Sequence, residues 1–251
     1  MGQHGGGANG KDAMTPDRSG HVVFFDAANT LLRPHPGVGA VYAAVAAEFG
    51  VTAKPDALNE AFPLAWKEAR RKAGASPYGT GEDDALRFWR CVVEDTFVRA
   101  GLVLPGDPFF ETLYRRFASN RCWRLYDDAL PALAEVRRRG ARIGLISNFD
   151  NRLRSILTAK GLDRILDIIV ISCEVGAEKP APAIFAAARA AAGNPPFCNL
   201  AFVGDQRSDD YAGATNAGWR ACLIDRVTAQ PDNSGVPAFR SLVAAVEYLL
   251  A

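Results

Sequence analysis

The chain lacks a charge surplus of either sign. Its 29 lysines and arginines stand against 28 aspartates and glutamates, a formal net charge of +1. Dedicated binders of nucleic acid or of anionic membrane surfaces need a basic field, so neither is expected as a partner. Long hydrophobic runs are also missing. None approaches the ~18 residues of a membrane-spanning helix. Residues 1–20 contain no apolar stretch of the secretory kind. Gly2 follows Met1, but Gly6 stands where N-myristoylation wants Ser or Thr. With Asp12, Asp17 and little arginine, the segment is also a poor transit peptide. It is Gly-rich, polar and aperiodic, and reads as disordered. The five cysteines (Cys91, Cys122, Cys173, Cys198, Cys222) are odd in number, scattered and without a C-x-x-C pair. That pattern predicts reduced, mostly buried thiols in an intracellular protein, not a disulfide framework. The expected compartment is the cytoplasm, with the nucleus or an organelle left open. The histidines are only His4, His21 and His35, none with ligand spacing, which argues against zinc.

What is present is ordinary globular material. With 251 residues at 49% hydrophobic and 23% charged, the chain can bury a substantial core. Val22-Val23-Phe24-Phe25 reads as a fully buried strand. After the breaker cluster Arg33-Pro34-His35-Pro36-Gly37, apolar residues recur at helical spacing (Val41, Tyr42, Val45, Phe49) up to Gly50. Further helices are predicted over 56–73, 82–100 and 108–117, with no convincing strand between 36 and 120. Beyond Trp123 the texture alternates. Helices are predicted over 129–139, 152–160, 181–192, 210–217 and 240–250, and strands over 143–146, 168–171, 200–203 and 220–224. Such alternation implies a parallel α/β sheet with helices on both faces. One strand precedes the helical stretch and the others follow it, so an all-α module interrupts the α/β domain.

The polar residues fall at the strand ends. Asp26, Ser147, Lys179 and Asp205 each lie at, or shortly after, the carboxyl end of a predicted strand. In a parallel sheet those ends share one edge, where α/β folds bind their ligands. Two carboxylates, a hydroxyl and an ammonium suit phosphoryl transfer. Asp26 and Asp205 can hold a hard cation such as Mg2+, Ser147 and Lys179 can receive phosphoryl oxygens, and a carboxylate nucleophile can form an aspartyl-phosphate.

Four segments carry a resemblance. They are Phe25-Asp26-Ala27-Ala28-Asn29-Thr30-Leu31, Ile146-Ser147-Asn148, Lys179-Pro180-Ala181-Pro182-Ala183-Ile184-Phe185, and Gly204-Asp205 with Asp209-Asp210 and Gly213-Ala214. Together, in this order, they resemble the haloacid dehalogenase superfamily over about residues 21–225. The wording around residues 146–153 resembles one subgroup of it. The resemblance implies a Rossmann-like core (21–33 and 122–251) with an inserted helical cap (34–121). It implies Asp26 as nucleophile and Mg2+ ligand, the main-chain carbonyl of Ala28 as second ligand and Asp205 as third. Asp209 or Asp210 would support the metal's waters. Ser147 and Asn148 would bind the phosphoryl group, Lys179 would screen charge between it and Asp26, and Asn29 and Thr30 would shape the turn, with Thr30 beside the phosphate site.

Ala28 is the departure. Phosphatases of the superfamily usually carry there an aspartate that protonates the leaving group and then activates water. Positioned acid–base catalysis contributes about 10²–10⁴-fold, so slow or selective turnover of a small phosphorylated metabolite is expected, with Mg2+ binding retained. Two other readings stay open: a catalytically degraded binding or regulatory protein, and a metal-independent 2-haloacid dehalogenase, against which Asp205 speaks. Asp209 and Asp210 also fit a plain acidic first helical turn. His35 reads as a surface histidine before a substitute general acid. Tyr42, Trp66 and Trp89 read as helix-module core before substrate contacts. No oligomeric state follows from the sequence.

Overall fold

The computed structural model describes residues 20–74, 78–79, 81–226 and 235–251. The segment read as disordered, with His4, Asp12 and Asp17, lies outside the described residues apart from Gly20.

The chain opens with β1 (Val22–Phe25), four apolar residues buried without exception. A short β2 (Leu32–Pro34) leads into four helices: α1 (Val38–Glu48), α2 (Pro55–Ala73), α3 (Glu82–Arg99) and α4 (Asp107–Ala118). Strand β3 (Trp123–Leu125) then returns the chain by pairing antiparallel with β2. The alternating part follows as α5 (Ala129–Arg138), β4 (Arg142–Ser147), α6 (Arg152–Ala159), β5 (Ile168–Ile171), α7 (Ser172–Val175), α8 (Pro182–Ala191) and β6 (Leu200–Gly204). It ends with a π-helical turn (Arg207–Ala212), α9 (Gly213–Asn216), β7 (Arg220–Ile224), β8 (Ala238–Phe239) and α10 (Leu242–Leu249).

Six strands form one parallel sheet in the order β5-β4-β1-β6-β7-β8. The β1 run has no polar residue because it lies between β4 and β6 and is covered on both faces. Val23 and Phe25 enter one core cluster, with side chains of α5, α6, α10 and the helical module. Val22 and Phe24 enter the other, with Ile184, Phe185 and Ala188 of α8 and Trp219. Full burial of each such side chain stabilises the fold by about 1.5–3 kcal/mol. Gly144 on β4 makes this packing feasible, since a Cβ there would stand 2.2 Å from the Phe24 ring. The α/β reading, with helices on both faces of a Rossmann-like sheet, therefore holds.

The helices of the module end where the local chemistry ends them. Pro55 starts α2 at a position where no N–H is needed, Asp56 sits in its first turn, and Arg70, Arg71 and Lys72 sit in its last. Gly74, at φ +75°, closes it. The module's own core is aromatic: Phe97 and Phe109 are fully buried with ring centroids 5.0 Å apart, and Tyr42 stacks on Phe97 at 6.4 Å.

Three features depart from the sequence expectations. The β2–β3 ribbon joining the two halves is unanticipated, because three-residue strands carry no usable periodicity. The closing helix starts at Leu242, not 240, because β8 takes up Ala238 and Phe239. The helix expected over 210–217 is a π-helical turn followed by one short α-helix.

Candidate active site

Strands β1, β4 and β6 are neighbours and run in the same direction, so their carboxyl ends form one contiguous edge. The sheet order reverses about β1, and such switch points open a crevice above the strand ends. Asp26 directly follows β1 and is 7% exposed, with its backbone N–H donating to the Val203 carbonyl at 3.0 Å. Asp205 directly follows β6. The turn after Asp26 is tight. Ala28 bridges Leu32, the Asn29 N–H donates to the Leu32 carbonyl at 2.6 Å, and Asn29 holds φ +63°, a conformation Asn tolerates better than most residues.

Lys179 lies at the centre. Its ammonium donates to Asp26 Oδ1 at 2.6 Å, to Asp210 Oδ1 at 2.6 Å and to the Ile146 carbonyl at 3.1 Å, and its side chain is only 2% exposed. Its main chain is held by the Asn148 amide, which donates Nδ2–H to the Lys179 carbonyl (2.9 Å) and accepts the Lys179 N–H on Oδ1 (2.7 Å). Asn148, expected at the phosphoryl group, thus has its side-chain amide engaged with the lysine's peptide. Ser147 is buried at the end of β4. Thr30 is fully buried, its Oγ1 has no hydrogen-bond partner, and it does not line the cavity described below.

The pair Asp209-Asp210 divides. Asp210 is buried and faces Asp26 and Asp205, and oxygens of these three carboxylates all lie within 4.8 Å of one another. Asp209 turns toward the helical module and accepts from Arg70 Nη1 at 2.8 Å. The π-helical turn produces this division. Gln206 contributes a carbonyl to both the Asp210 and Tyr211 N–H groups, and its own N–H donates to Asp210 Oδ2 at 2.8 Å. Such turns recur at functional sites. Gly204 leaves the space: a Cβ there would stand 2.2 Å from Asp210 Oδ2.

Three carboxylates cluster about one ammonium, which bonds to Asp26 and Asp210 but not to Asp205, so the cluster carries an excess of negative charge. Burial, and then the repulsion of Asp210 and Asp205, push Asp26 up to about 7 against the pull of Lys179. Burial and Asp210 push Asp205 up to about 6. Burial alone would lower Lys179, but the Asp210 and Asp26 carboxylates hold it above the ordinary lysine value. Hard oxygen donors in surplus suit a divalent cation. Mg2+ holds oxygens at about 2.0–2.1 Å, so opposed ligands stand about 4.2 Å apart, the scale of this cluster.

The helical module covers the edge. Arg70 of α2 reaches Asp209 and Glu178 (3.5 Å), and the Tyr78 N–H donates to Glu178 Oε1 at 3.2 Å. Between module and sheet lies a cavity of ≈350 Å³. Ala28, Asn29, Asn148 and Gln206 form its sheet side, and Tyr42, Trp66, Tyr78, Trp89 and Tyr114 its aromatic wall. Tyr42, Trp66 and Trp89, expected as module core before substrate contacts, do pack in or against the core, and each also lines this cavity. Phe62 and Trp66, or Trp89 and Val93, are i, i+4 neighbours, and the same spacing serves a packed interior and a cavity wall alike. Arg152 is the one charged side chain lining the cavity among the described residues, and it was not singled out in the sequence. Its guanidinium grips Asp150 (2.8 and 2.6 Å) and lies over Tyr114 at 3.9 Å and Trp89 at 5.0 Å. Its sequence signal is weak, a helix-start Arg two residues after an Asp. His35 is exposed and lines a different surface pocket with Ala40 and Arg115. All five cysteines are free, three of them buried. No helix among the described residues is long and apolar enough to cross a membrane.

A parallel sheet with an acidic, lysine-centred edge under a helical module is the arrangement of a hydrolase. The model of the haloacid dehalogenase-like hydrolases matches residues 21–218, and the chain belongs to that family. It is 32% identical over 242 residues to haloacid dehalogenase-like hydrolase domain-containing protein 3 of Bos taurus, covering 91% of this chain and 94% of that protein. That is the subgroup which residues 146–153 resemble. It is also 31% identical over 235 residues to the phosphoserine phosphatase of Thermus thermophilus, covering 87% and 94%. Among solved structures, the L-2-haloacid dehalogenase RSc1362 superposes with TM-score 0.72 over 92% of this chain and 99% of that one, at 24% identity, a likeness of fold.

Proposed function

We propose that the chain is a Mg2+-dependent phosphatase of low or selective activity on a small phosphorylated metabolite, acting through an aspartyl-phosphate on Asp26. The observation that carries this reading is the meeting of Asp26, Asp205 and Asp210 within 4.8 Å around the Lys179 ammonium. Asp26, Asp205, Asp210 and the Ala28 carbonyl would hold the ion, which when bound offsets charge on phosphoryl oxygens. Asp26 Oδ attacks phosphorus. Lys179 keeps the carboxylate aimed and balances charge as the phosphoryl group arrives. Ser147 at the end of β4 binds that group, and Asn148 fixes the lysine's backbone. Residues 34–121 act as a cap over a core of 21–33 and 122–251, which excludes water and selects the leaving group.

The test is a panel of phosphate esters with and without Mg2+, run on wild type and Asp26→Asn. Turnover should require the metal and vanish in the variant. Turnover unchanged by Asp26→Asn would refute the assigned nucleophile. A second reading, a 2-haloacid dehalogenase-type hydrolase, draws on Ala28 and the aromatic cavity, since a departing halide needs no proton. Halide release insensitive to a chelator would favour it. A binding or regulatory role, which Ala28 also allows, would leave the panel silent while Mg2+ still bound.

A further inference from the structure

The missing general acid and the aromatic wall meet at one place, because Ala28 itself lines the cavity. We infer that the preferred substrates are aryl phosphates, whose leaving group is an uncharged aromatic ring. This rests on the phosphatase reading above and adds the class of ester to it.

Three observations converge. The first is chemical. Without an acid at position 28, the leaving oxygen must depart as an anion. An aryl alcohol ionises near ~10, as the tyrosine phenol does, whereas an aliphatic alcohol ionises close to water, near ~15.7. An aryloxide therefore loses least from the absence of the aspartate.

The second observation is shape. The ≈350 Å³ cavity is walled by Tyr42, Trp66, Tyr78, Trp89 and Tyr114. Roughly 150 Å³ suffices for one benzene ring, so a ring or a fused pair fits. Trp89 is held in place by its indole N–H, which donates to Asp150 at 2.7 Å.

The third is charge. Arg152 is bound bidentately by Asp150 and donates further to the Tyr114 carbonyl at 3.3 Å. The pair is neutral as a unit, so an anionic leaving group such as a carboxylate would have to compete with Asp150 for it. Tyr42 and Tyr78 are kept protonated by burial.

The step balances without further reagents. Asp26 Oδ bonds to phosphorus, the bond from phosphorus to the aryl oxygen breaks, and the aryloxide leaves with the electron pair and takes a proton from water. A water molecule then attacks the aspartyl-phosphate. Its proton passes to solvent, and phosphate and the Asp26 carboxylate are released. Ala28 cannot activate that water, so the second step is slow.

The experiment compares phenyl phosphate, 1-naphthyl phosphate, glycerol phosphate, O-phosphoserine and acetyl phosphate in the presence of Mg2+. Phenyl and naphthyl phosphate should exceed glycerol phosphate and O-phosphoserine in kcat/KM by about 10² or more, with a burst of about one equivalent of aryl alcohol per enzyme. Acetyl phosphate has a good leaving group and no ring, so it should be turned over with a higher KM than phenyl phosphate. Trp66→Ala should narrow the phenyl-over-acetyl preference about three- to tenfold, and Trp66→Phe should restore part of it. O-Phosphoserine matching phenyl phosphate, or acetyl and phenyl phosphate sharing one KM, would overturn the inference and leave the phosphatase reading standing. Silence on all five, acetyl phosphate included, would remove that reading and the inference with it.

Discussion

If Mg2+ binds at the acidic cluster as proposed, lowering the pH from 8 to 5 should strip it, and the size of the effect follows from that cluster. Asp26 titrates at about 7 and Asp205 at about 6, both above the ordinary 3.8. Taken as the two proton-loss steps of one interacting pair, these values leave both groups ionised in about 0.9 of molecules at pH 8 and in about 0.001 at pH 5. Since the ion needs the ionised form, its affinity should fall by about 10³, or ~4 kcal/mol. At pH 8, a hundredfold excess of Mg2+ over its dissociation constant stabilises the fold by about 2.7 kcal/mol, a rise of roughly 5–10 °C in Tm for a chain of this size. At pH 5 the same concentration is about a tenth of the weakened constant, so the rise should vanish. The metal-free protein carries the opposite trend. Between about pH 4 and 7 the folded state holds protons at Asp26 and Asp205 that the unfolded chain has released. The stability these groups contribute is complete at low pH and is lost as pH rises through that window, by roughly 4 kcal/mol for Asp26. Differential scanning fluorimetry with and without Mg2+ from pH 5 to 8 measures both trends. Equal Mg2+ increments at the two extremes, or an increment surviving in the Asp26→Asn/Asp205→Asn double variant, would show that the ion binds elsewhere.

Three further outcomes are expected. Ala28→Asp should raise turnover of alkyl phosphates by about 10²–10⁴, since position 28 lines the cavity; steady-state assays would show no gain if the acid is not what is missing. Lys179→Met strands Asp26 and Asp210 in a buried setting and should cost about 3–5 kcal/mol at pH 8 in urea denaturation. Part of that loss should return at pH 5 as Asp26 protonates, and a pH-independent loss would contradict the electrostatic account. Gly204→Ala drives a Cβ into Asp210 and should lower stability by about 1–3 kcal/mol while weakening the Mg2+ increment; calorimetry showing an unchanged increment would mean that Asp210 is not needed for the ion.

Much of the core was legible in the residues. The run Val22-Val23-Phe24-Phe25 could only be a buried strand, and polar residues closing several such runs had to collect at one sheet edge once the strands were parallel. The division of Asp209 from Asp210 was not legible. It depends on a π-helical turn whose hydrogen bonds to Gln206 rotate one carboxylate inward and leave the other to Arg70. Nor could the linear pattern separate cavity wall from packed interior at Trp66 and Trp89, because helical spacing records which side is apolar and not what stands opposite it.

Taken alone, then, the order of the residues determined that Asp26 and Asp205 would be carried to strand ends, with Lys179 in the connection that follows β5, and that position 28 would offer no acid. Both follow from local chemistry, namely apolar runs, breakers and the identity of a side chain. Only the folded molecule decided that the ammonium of Lys179 would stand 2.6 Å from both Asp26 and Asp210, that Arg152 would lie over the Tyr114 ring, and that five aromatic rings from the helical module would close over Ala28. Those are contacts between segments tens to hundreds of residues apart, fixed by how the helices pack over the sheet, and no local pattern encodes them.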